Sequence, residues 1–262
     1  MYVSLAKCIT QNTIRIQLEY KSSFWLKSFF LIMGYLADAI MLVVLFTRFN
    51  GIAGWRTYEI AFLYGFSTLS YTVTASVFAF CAQFSEEMIY GGYDQVLLLP
   101  VNPFIFYVLK GINLTYLSRI ILSVLIIIIA FYTAALQCSF RLCLYIILSI
   151  LGSILIQSAF FIAFAIPNFF IVKSDNFRSV YMGLRFFCNY PLNIYGGFIR
   201  KFFTYVIPLG FINYYPAIHI FSKSENMPLI LEYLTLPVGI VLCILSIVLW
   251  HMASKHYQST GG

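Results

Sequence analysis

The run "IILSVLIIIIAFY", residues 120–132, decides the fold class of this chain. It holds no charged residue, and with the apolar residues that follow it approaches the roughly 20 residues that a helix needs to cross a hydrocarbon core of about 30 Å. The rest of the chain has the same character, because 61% of its 262 residues are hydrophobic and only 10% are charged. Soluble proteins average about 25% charged residues, so most of this surface must face lipid.

Five other runs have the length and apolarity of spanning helices. The six predicted spans cover residues 29–46, 60–82, 120–136, 142–166, 202–221 and 233–250. A transmembrane β-barrel would instead show segments of about ten residues with alternating polarity. The sequence therefore predicts an all-α, polytopic fold in one transmembrane domain, residues 1–262. Pro208 and Gly210 interrupt the fifth run and predict a kinked or broken helix there.

Lysine and arginine residues set the predicted orientation. With both termini in the cytoplasm, twelve of the sixteen fall on the cytoplasmic side, as the positive-inside rule requires. These are Lys7, Arg15, Lys21, Lys27, Lys110, Arg119, Lys173, Arg178, Arg185, Arg200, Lys201 and Lys255. Residues 1–28 separate apolar from basic residues and predict a cytoplasmic interfacial helix. The net charge of +7 then indicates anionic lipid headgroups as partners rather than nucleic acid.

A charged stretch, "EEMIYGGYDQVLLLPVNP" at residues 86–103, lies in the predicted cytoplasmic loop 83–113 between the second and third spans. Its two adjacent glycines permit a tight turn, and Pro100 and Pro103 bracket another break. The segment between glycines and prolines can form a short amphipathic element on the membrane surface or against a partner. Two interpretations stay open at this point: a docking element, or a plain connection whose acids are solvated.

The order Gly92-Tyr93-Asp94-Gln95-Val96-Leu97-Leu98-Leu99-Pro100-Val101-Asn102-Pro103 resembles the D-x-x-L-L-x-P-x-x-P stretch of six-span permease subunits in ABC-2 type ATP-binding-cassette exporters. Residues 190–217, "YPLNIYGGFIRKFFTYVIPLGFINYYPA", and 250–262, "WHMASKHYQSTGG", are similar to further parts of that family. The similarity thus extends over nearly the whole chain. Leu99 departs from it, because the family usually has a basic residue there.

The resemblance implies a permease of a bacterial plasma-membrane exporter, with short re-entrant helices on its outer side. Energy would come from a separate ATPase subunit that holds ATP and Mg, and a second permease, identical or related, would complete the path. The loop after the second span would pass motion from the ATPase to the helices. Its implied ATPase-coupling residues are Glu86, Glu87, Gly91, Gly92, Asp94, Leu97, Leu98, Pro100 and Pro103. The aromatic, nearly uncharged interior favours an amphipathic or lipid-like cargo such as a peptide, antibiotic or glycolipid.

The residues themselves argue against catalysis in this chain. The phosphate-binding pattern G-x-x-x-x-G-K-[ST] does not occur in the sequence, and neither does a C-x-x-C pair or another metal-ligand spacing. We therefore expect no enzyme activity, no metal and no cofactor in the chain. Two alternative functions are a ligand-binding membrane sensor or accessory subunit without transport, and an intramembrane enzyme that uses Asp38 with a second polar group.

Polar residues within the spans are candidates for the translocation pathway. They are Asp38, Ser67, Ser70, Tyr71, Thr74 and Pro208. An acid in mid-span must pair with a neighbouring helix or face water, so both roles stay open for Asp38. The four residues of the second span fall on one helical face, where they can line a path or join helices by hydrogen bonds. Ser149, Ser153 and Gln157 of the fourth span present the same choice.

Overall fold

A computed structural model describes residues 2–48, 53–171, 175–223 and 227–258, and its regular structure within those ranges is entirely helical. The predicted all-α fold is therefore confirmed. In chain order the helices are α1 Tyr2–Glu19, α2 Lys21–Arg48, α3 Thr57–Phe78, α4 Phe84–Ile89, α5 Gly92–Leu97, α6 Pro103–Lys110, α7 Leu117–Thr133, α8 Phe140–Ala165, α9 Asp175–Phe186, α10 Gly197–Tyr205, α11 Tyr214–Ile220, α12 Ile230–Tyr233 and α13 Thr235–Ser254.

Among the residues that the structure describes, five segments are long and apolar enough to cross a membrane. They are Lys21–Met41, Thr57–Ile89, Leu114–Thr133, Phe140–Phe169 and Thr235–Ser254. These helices stand where the sequence predicts the first, second, third, fourth and sixth spans. Below, the loop end of the bundle is the end where residues 79–116 join α3 to α7. The far end is the one where residues 53–56 precede α3 and residues 134–139 join α7 to α8.

The fifth predicted span, residues 202–221, is not one continuous helix. α10 ends at Tyr205, a single helical turn covers Leu209–Phe211, and α11 begins only at Tyr214. Pro208 precedes that turn, where its missing N–H and fixed φ prevent a helix from continuing. The break expected at Pro208 is thus present, and the sequence was wrong only in reading the run as a span about 20 residues long.

α9 and the residues after it run along the bundle instead. Tyr71 in α3 donates to the Sδ of Met182 at 3.8 Å. Farther along the chain, the Nδ2 of Asn193 donates to the carbonyl oxygen of Ala53 at 3.1 Å. Met182 thus contacts the part of α3 nearer the loop end, whereas Asn193, farther along the chain, contacts the far end. The sequence does not predict that this segment runs along the bundle, because charged residues such as Arg185 interrupt its apolar residues.

Residues 197–221 consequently lie at the far end as a helical hairpin. The guanidinium carbon of Arg200 lies 5.9 Å from the ring centroid of Tyr214, and that ring lies 5.8 Å from Trp55. The sequence placed Arg200 and Lys201 on the same side of the membrane as the loop after the second span, but in the structure they lie at the opposite end of the bundle. The excess of lysine and arginine residues at the loop end is therefore smaller than the sequence predicts.

The centre of the bundle is α3, which packs between α7 and α8. Its residues Phe62, Leu63 and Phe66 are fully buried. α8 and α13 approach so closely that a Cβ on Gly239 would lie 2.5 Å from the backbone oxygen of Gly152. Small residues commonly allow such contact between membrane helices. α2, α7 and α13 turn exposed apolar faces outward, as helices in contact with lipid do.

Candidate functional site

The segment between α3 and α7 folds into a compact unit with a buried aromatic cluster. This cluster, which we call the loop base, consists of Phe80, Phe84, Met88, Tyr93, Val96 and Tyr107, packed against Ile162, Ala165, Phe169, Trp250 and Ala253. The ring of Phe84 lies 4.7 Å from that of Trp250 and 5.4 Å from that of Tyr107, centroid to centroid. Aromatic contacts of this kind add about 0.5–1.5 kcal/mol each beyond area burial. The loop and the loop ends of α8 and α13 therefore form one packed body.

Two adjacent glycines turn the chain from α4 into α5. Gly91 has φ +69°, in the left-handed region that favours glycine, and it caps the start of α5. A Cβ on Gly92 would lie 3.2 Å from the backbone oxygen of Glu87 and would collide with its carboxylate. The sequence assigned both glycines to coupling, and in the structure they allow the fold of the loop itself.

Glu87 is held inside the loop. Its Oε1 accepts a hydrogen bond from Lys110 Nζ at 2.7 Å, and its Oε2 accepts one from Tyr107 Oη at 3.3 Å. These contacts tie α4 to α6. Of the three acids predicted to face an ATPase, Glu86 is exposed, Asp94 is partly buried and Glu87 is occupied within the chain.

The second proline of the loop starts a helix. Pro103 is the first residue of α6, and the Oδ1 of Asn102 accepts from the backbone N–H groups of Phe104 at 2.9 Å and Ile105 at 3.4 Å. Proline is favoured at this position because its missing N–H would have no partner there in any case. Pro100 lies exposed in the turn before it. The two prolines thus fix how α5 is presented relative to α6.

The outer face of this loop carries exposed apolar side chains, which we call the apolar tip. The tip comprises Tyr90, Leu97, Leu98 and Leu99, exposed by 82%, 50%, 86% and 43%. On α5 the opposite face is buried, with Tyr93 in the loop base. Exposed apolar side chains grouped within a short segment of the surface are typical of an interaction site. Leu97 and Leu98, both predicted to dock, belong to the apolar tip.

α1 is fastened to the end of the same loop. The Nε2 of Gln17 donates to the carbonyl oxygen of Ile112 at 2.6 Å, and its Oε1 accepts from the N–H of Leu114 at 2.8 Å. A cavity of about 370 Å³ lies beside this contact. Its lining includes Ile16, Phe24, Lys27, Gln83, Lys110 and Thr115. The sequence predicts a helix here but does not single out Gln17, since its partners are backbone groups almost 100 residues away.

Burial favours the neutral form of the two tyrosines in the loop base by raising their pKa. It raises the pKa of Tyr93 to about 12. The pKa of Tyr107 is also raised, first by burial and then by the neighbouring Glu87 carboxylate. Both phenols therefore stay neutral into the alkaline range, where an exposed tyrosine would ionise.

The polar stripe of α3 faces neighbouring helices. Gln157 of α8 donates from Nε2 to the carbonyl oxygen of Ser67 at 3.1 Å and to the Oγ of Ser70 at 2.5 Å. Its Oε1 accepts from Tyr181 Oη at 3.1 Å. One buried amide therefore connects α3, α8 and α9 and uses both its donor and acceptor groups.

The other two members of the stripe make similar contacts. Thr74 Oγ1 donates to the carbonyl oxygen of Ile154 in α8 at 3.1 Å, and Tyr71 Oη reaches Met182 of α9. In α8, Ser153 Oγ donates to the carbonyl oxygen of Ile212 at 2.5 Å. These geometries support the helix-joining alternative for the stripe in this conformation.

Asp38 lies elsewhere, on α2, with an exposed side chain. Within the described residues it makes no hydrogen bond or ion pair. One turn earlier, Tyr35 is buried and stacks on Tyr64 at 4.9 Å. Asp38 thus stands at the border between the packed face of α2 and its lipid-facing side. Pro208, the last pathway candidate, is partly buried at the turn after α10.

Apolar helices of spanning length, a packed loop unit with an apolar tip at one end and a broken helical hairpin at the other are together typical of a multi-pass membrane protein. The family model described as "ABC-2 family transporter protein" matches residues 31–261, most of the chain. The chain therefore belongs to the ABC-2 transporter family, which confirms the resemblance in the loop sequence. A comparison with curated proteins gave no match.

Proposed function

We propose that this chain is the permease subunit of an ABC-2 exporter and that a separate subunit hydrolyses ATP with Mg to drive it. The observation that carries the proposal is the apolar tip on the packed loop base. A partner that pushes on Leu98 would move α8 and α13 with the loop, because Trp250 of α13 and Ile162 of α8 both pack against the loop base. Family membership supports an ATPase partner in general.

The loop end would face the cytoplasm, with both termini on that side. α1 supports this orientation, since it carries Lys7 and Arg15 and is fastened beside the loop through Gln17. Basic residues close to a spanning segment favour the cytoplasmic side. The membrane would be the plasma membrane, where an ATPase driven by cytoplasmic ATP can reach the tip.

A second permease, identical or related, would cover part of α2. An ionisable group in the middle of a span is costly unless it pairs or faces water. Asp38 is exposed and has no partner among the described residues, so contact with lipid alone is an unfavourable environment for it. A pathway between two permeases would give this carboxylate water or a partner.

The cargo would be amphipathic or lipid-like. A groove of about 380 Å³ between α2, α3 and α7 has an almost entirely apolar lining. Its residues include Ala39, Ile60, Ala61, Tyr64, Ile126 and Ile129. Such a surface suits an alkyl chain or aromatic ring better than a small charged solute.

Co-purification tests the coupling role. The tagged chain is extracted in mild detergent from membranes of its native host, and phosphate release from ATP is measured in the eluate. Leu98→Asp places a charge in the tip. Leu229→Asp is the matched control, since Leu229 is 74% exposed and lies just before α12 at the far end.

We expect ATP hydrolysis to accompany the wild type and Leu229→Asp, and to fall at least about tenfold for Leu98→Asp, because hot-spot residues contribute about 2 kcal/mol or more to binding. A folded wild-type protein that brings no ATPase activity, or equal activity for both variants, would contradict the role of the tip.

A further inference from the structure

Two partly buried arginines lie against the face of α3 between α2 and α9. The guanidinium carbon of Arg185 in α9 is 3.8 Å from the ring centroid of Tyr71. That of Arg119 in α7 is 5.8 Å from the same ring and 5.1 Å from the ring of Tyr35. Two positively charged side chains thus lie near one tyrosine ring, and the three residues come from α3, α7 and α9.

Neither guanidinium has an acidic partner within the described residues. The ion pairs there join Lys110 to Glu87, His219 to Glu232 and Lys223 to Glu59. The Nε atoms of Arg119 and Arg185 are buried and make no hydrogen bond. A buried donor without a hydrogen-bond partner is energetically unfavourable. Stacking of the guanidinium on a tyrosine ring offsets only part of this cost.

We infer that Arg119 and Arg185 form a binding site for a phosphate group. A phosphate oxygen pair matches the fork of N–H donors on a guanidinium, and charge-assisted bonds of this type are about twice as strong as neutral ones. Two guanidinium groups against one ring can approach the same anion. Its negative charge would also relieve the repulsion between them.

The site is reachable from outside this chain, because both arginine side chains are only partly buried. Two sources can supply the phosphate: the headgroup of a membrane lipid or a free inorganic anion. The site requires no transport and no ATPase, so its binding chemistry stands apart from the exporter proposal.

Binding to the purified chain in detergent tests the inference. The probes are dioleoyl phosphatidic acid, dioleoylglycerol with the same acyl chains but no phosphate, and inorganic phosphate. Native mass spectrometry counts bound lipid, and thermal unfolding measures stabilisation by each probe. The variants are Arg119→Gln and Arg185→Gln, with Arg141→Gln as control because Arg141 is exposed at the start of α8.

We expect phosphatidic acid to bind more tightly than dioleoylglycerol and each Gln variant to weaken it at least about tenfold, the loss that follows from one charge-assisted contact. Arg141→Gln should bind like the wild type. Stabilisation by inorganic phosphate as well would assign the site to free anions, and its absence would assign it to lipid headgroups. Both results support a phosphate site.

Arg185→Lys is a control for misfolding. It keeps the charge but loses the planar fork of N–H donors, so it should bind phosphatidic acid with intermediate affinity. Lipid binding that is unchanged in both Gln variants would overturn the inference. So would a loss of thermal stability in Asp38→Asn equal to that in Arg185→Gln without any phosphate dependence, because Asp38 would then be the group that neutralises the arginines.

Discussion

The ammonium group of Lys223 lies 2.6 Å from the Oε2 of Glu59 at the far end of the bundle. The same oxygen accepts a hydrogen bond at 2.8 Å from the backbone N–H of Arg56, just before α3. Lys223 also donates to the carbonyl oxygen of Gly54 at 2.7 Å. This buried contact fastens the chain after α11 to the start of the central helix.

Lys223→Met should therefore lower the free energy of unfolding by about 3 kcal/mol, because it leaves the buried carboxylate of Glu59 without the lysine cation. An SDS titration followed by circular dichroism measures the loss. The carboxylate side chain is only 7% exposed, so water replaces the lysine poorly.

Lys110→Met is the matched control. Its ion pair with Glu87 has nearly the same length, 2.7 Å, but the lysine side chain is 48% exposed. Exposed pairs contribute about 0–1 kcal/mol. Equal losses for Lys110→Met and Lys223→Met would show that burial does not decide the strength of these two pairs.

A methyl group between α8 and α13 should separate them. Gly239→Ala would set its Cβ 2.5 Å from the backbone oxygen of Gly152, and backbone cannot move aside as a flexible side chain can. We expect a loss of about 1–3 kcal/mol in the SDS titration, the usual cost of overpacking.

Gly34→Ala tests the same change in open space, since nothing lies within 4 Å of a Cβ at that position in α2. Alanine favours a helix over glycine by up to about 1 kcal/mol, so stability should stay level or rise. A similar loss at Gly34 would mean that glycine has a general role in these helices and that the α8–α13 contact is not special.

The long helices could be predicted from the sequence because a membrane span is a local property. The run 120–132 is apolar whatever its neighbours are, and hydrocarbon admits only helices at that length. The turn at Gly91–Gly92 and the helix start at Pro103 are likewise local, since each follows from backbone conformation alone. For these features the pattern of residues carries the whole argument.

Features that depend on distant contacts could not be predicted. The passage of α9 along α3 contains Arg185, and a charge counts against a span unless its surroundings are known. Gln157 looks like any other polar residue of a span until Tyr181 and Ser70 are placed around it. The sequence also grouped Arg119 and Arg185 with the cytoplasmic charges, because spacing does not show that both reach the ring of Tyr71.

Gln157→Leu tests whether the polar stripe of α3 joins helices. It removes the hydrogen bonds to Ser67, Ser70 and Tyr181, and interhelical bonds in membranes average about 0.6 kcal/mol each. We expect a loss of about 1–2 kcal/mol in unfolding free energy, from these bonds together with the hydroxyls left unpaired.

The exposed Gln137 between α7 and α8 provides the control, and Gln137→Leu should change stability by less than about 0.5 kcal/mol. If Gln157→Leu keeps wild-type stability but alters substrate-stimulated ATP hydrolysis in the co-purified complex, the stripe lines the path instead.

Alkaline pH should loosen the loop base. The pKa of Tyr93 is about 12 in the folded chain, whereas an unfolded tyrosine titrates near 10. Below pH of about 10 both states hold the proton, so the stabilisation is complete. Above it the unfolded chain releases its proton first, and this part of the stability is lost as the pH rises through about 12.

Tyr93→Phe removes the titrating hydroxyl and keeps the ring, so its unfolding temperature should fall less steeply than that of the wild type between pH of about 9 and 12. Tyr107 also has a raised pKa and should keep part of the slope. Tyr90→Phe, at the 82% exposed ring of the tip, is the control and should follow the wild type. A slope that is the same in Tyr93→Phe and the wild type would mean that the Tyr93 hydroxyl is already ionised or solvated in the folded loop, and the packed base would not be a single apolar support.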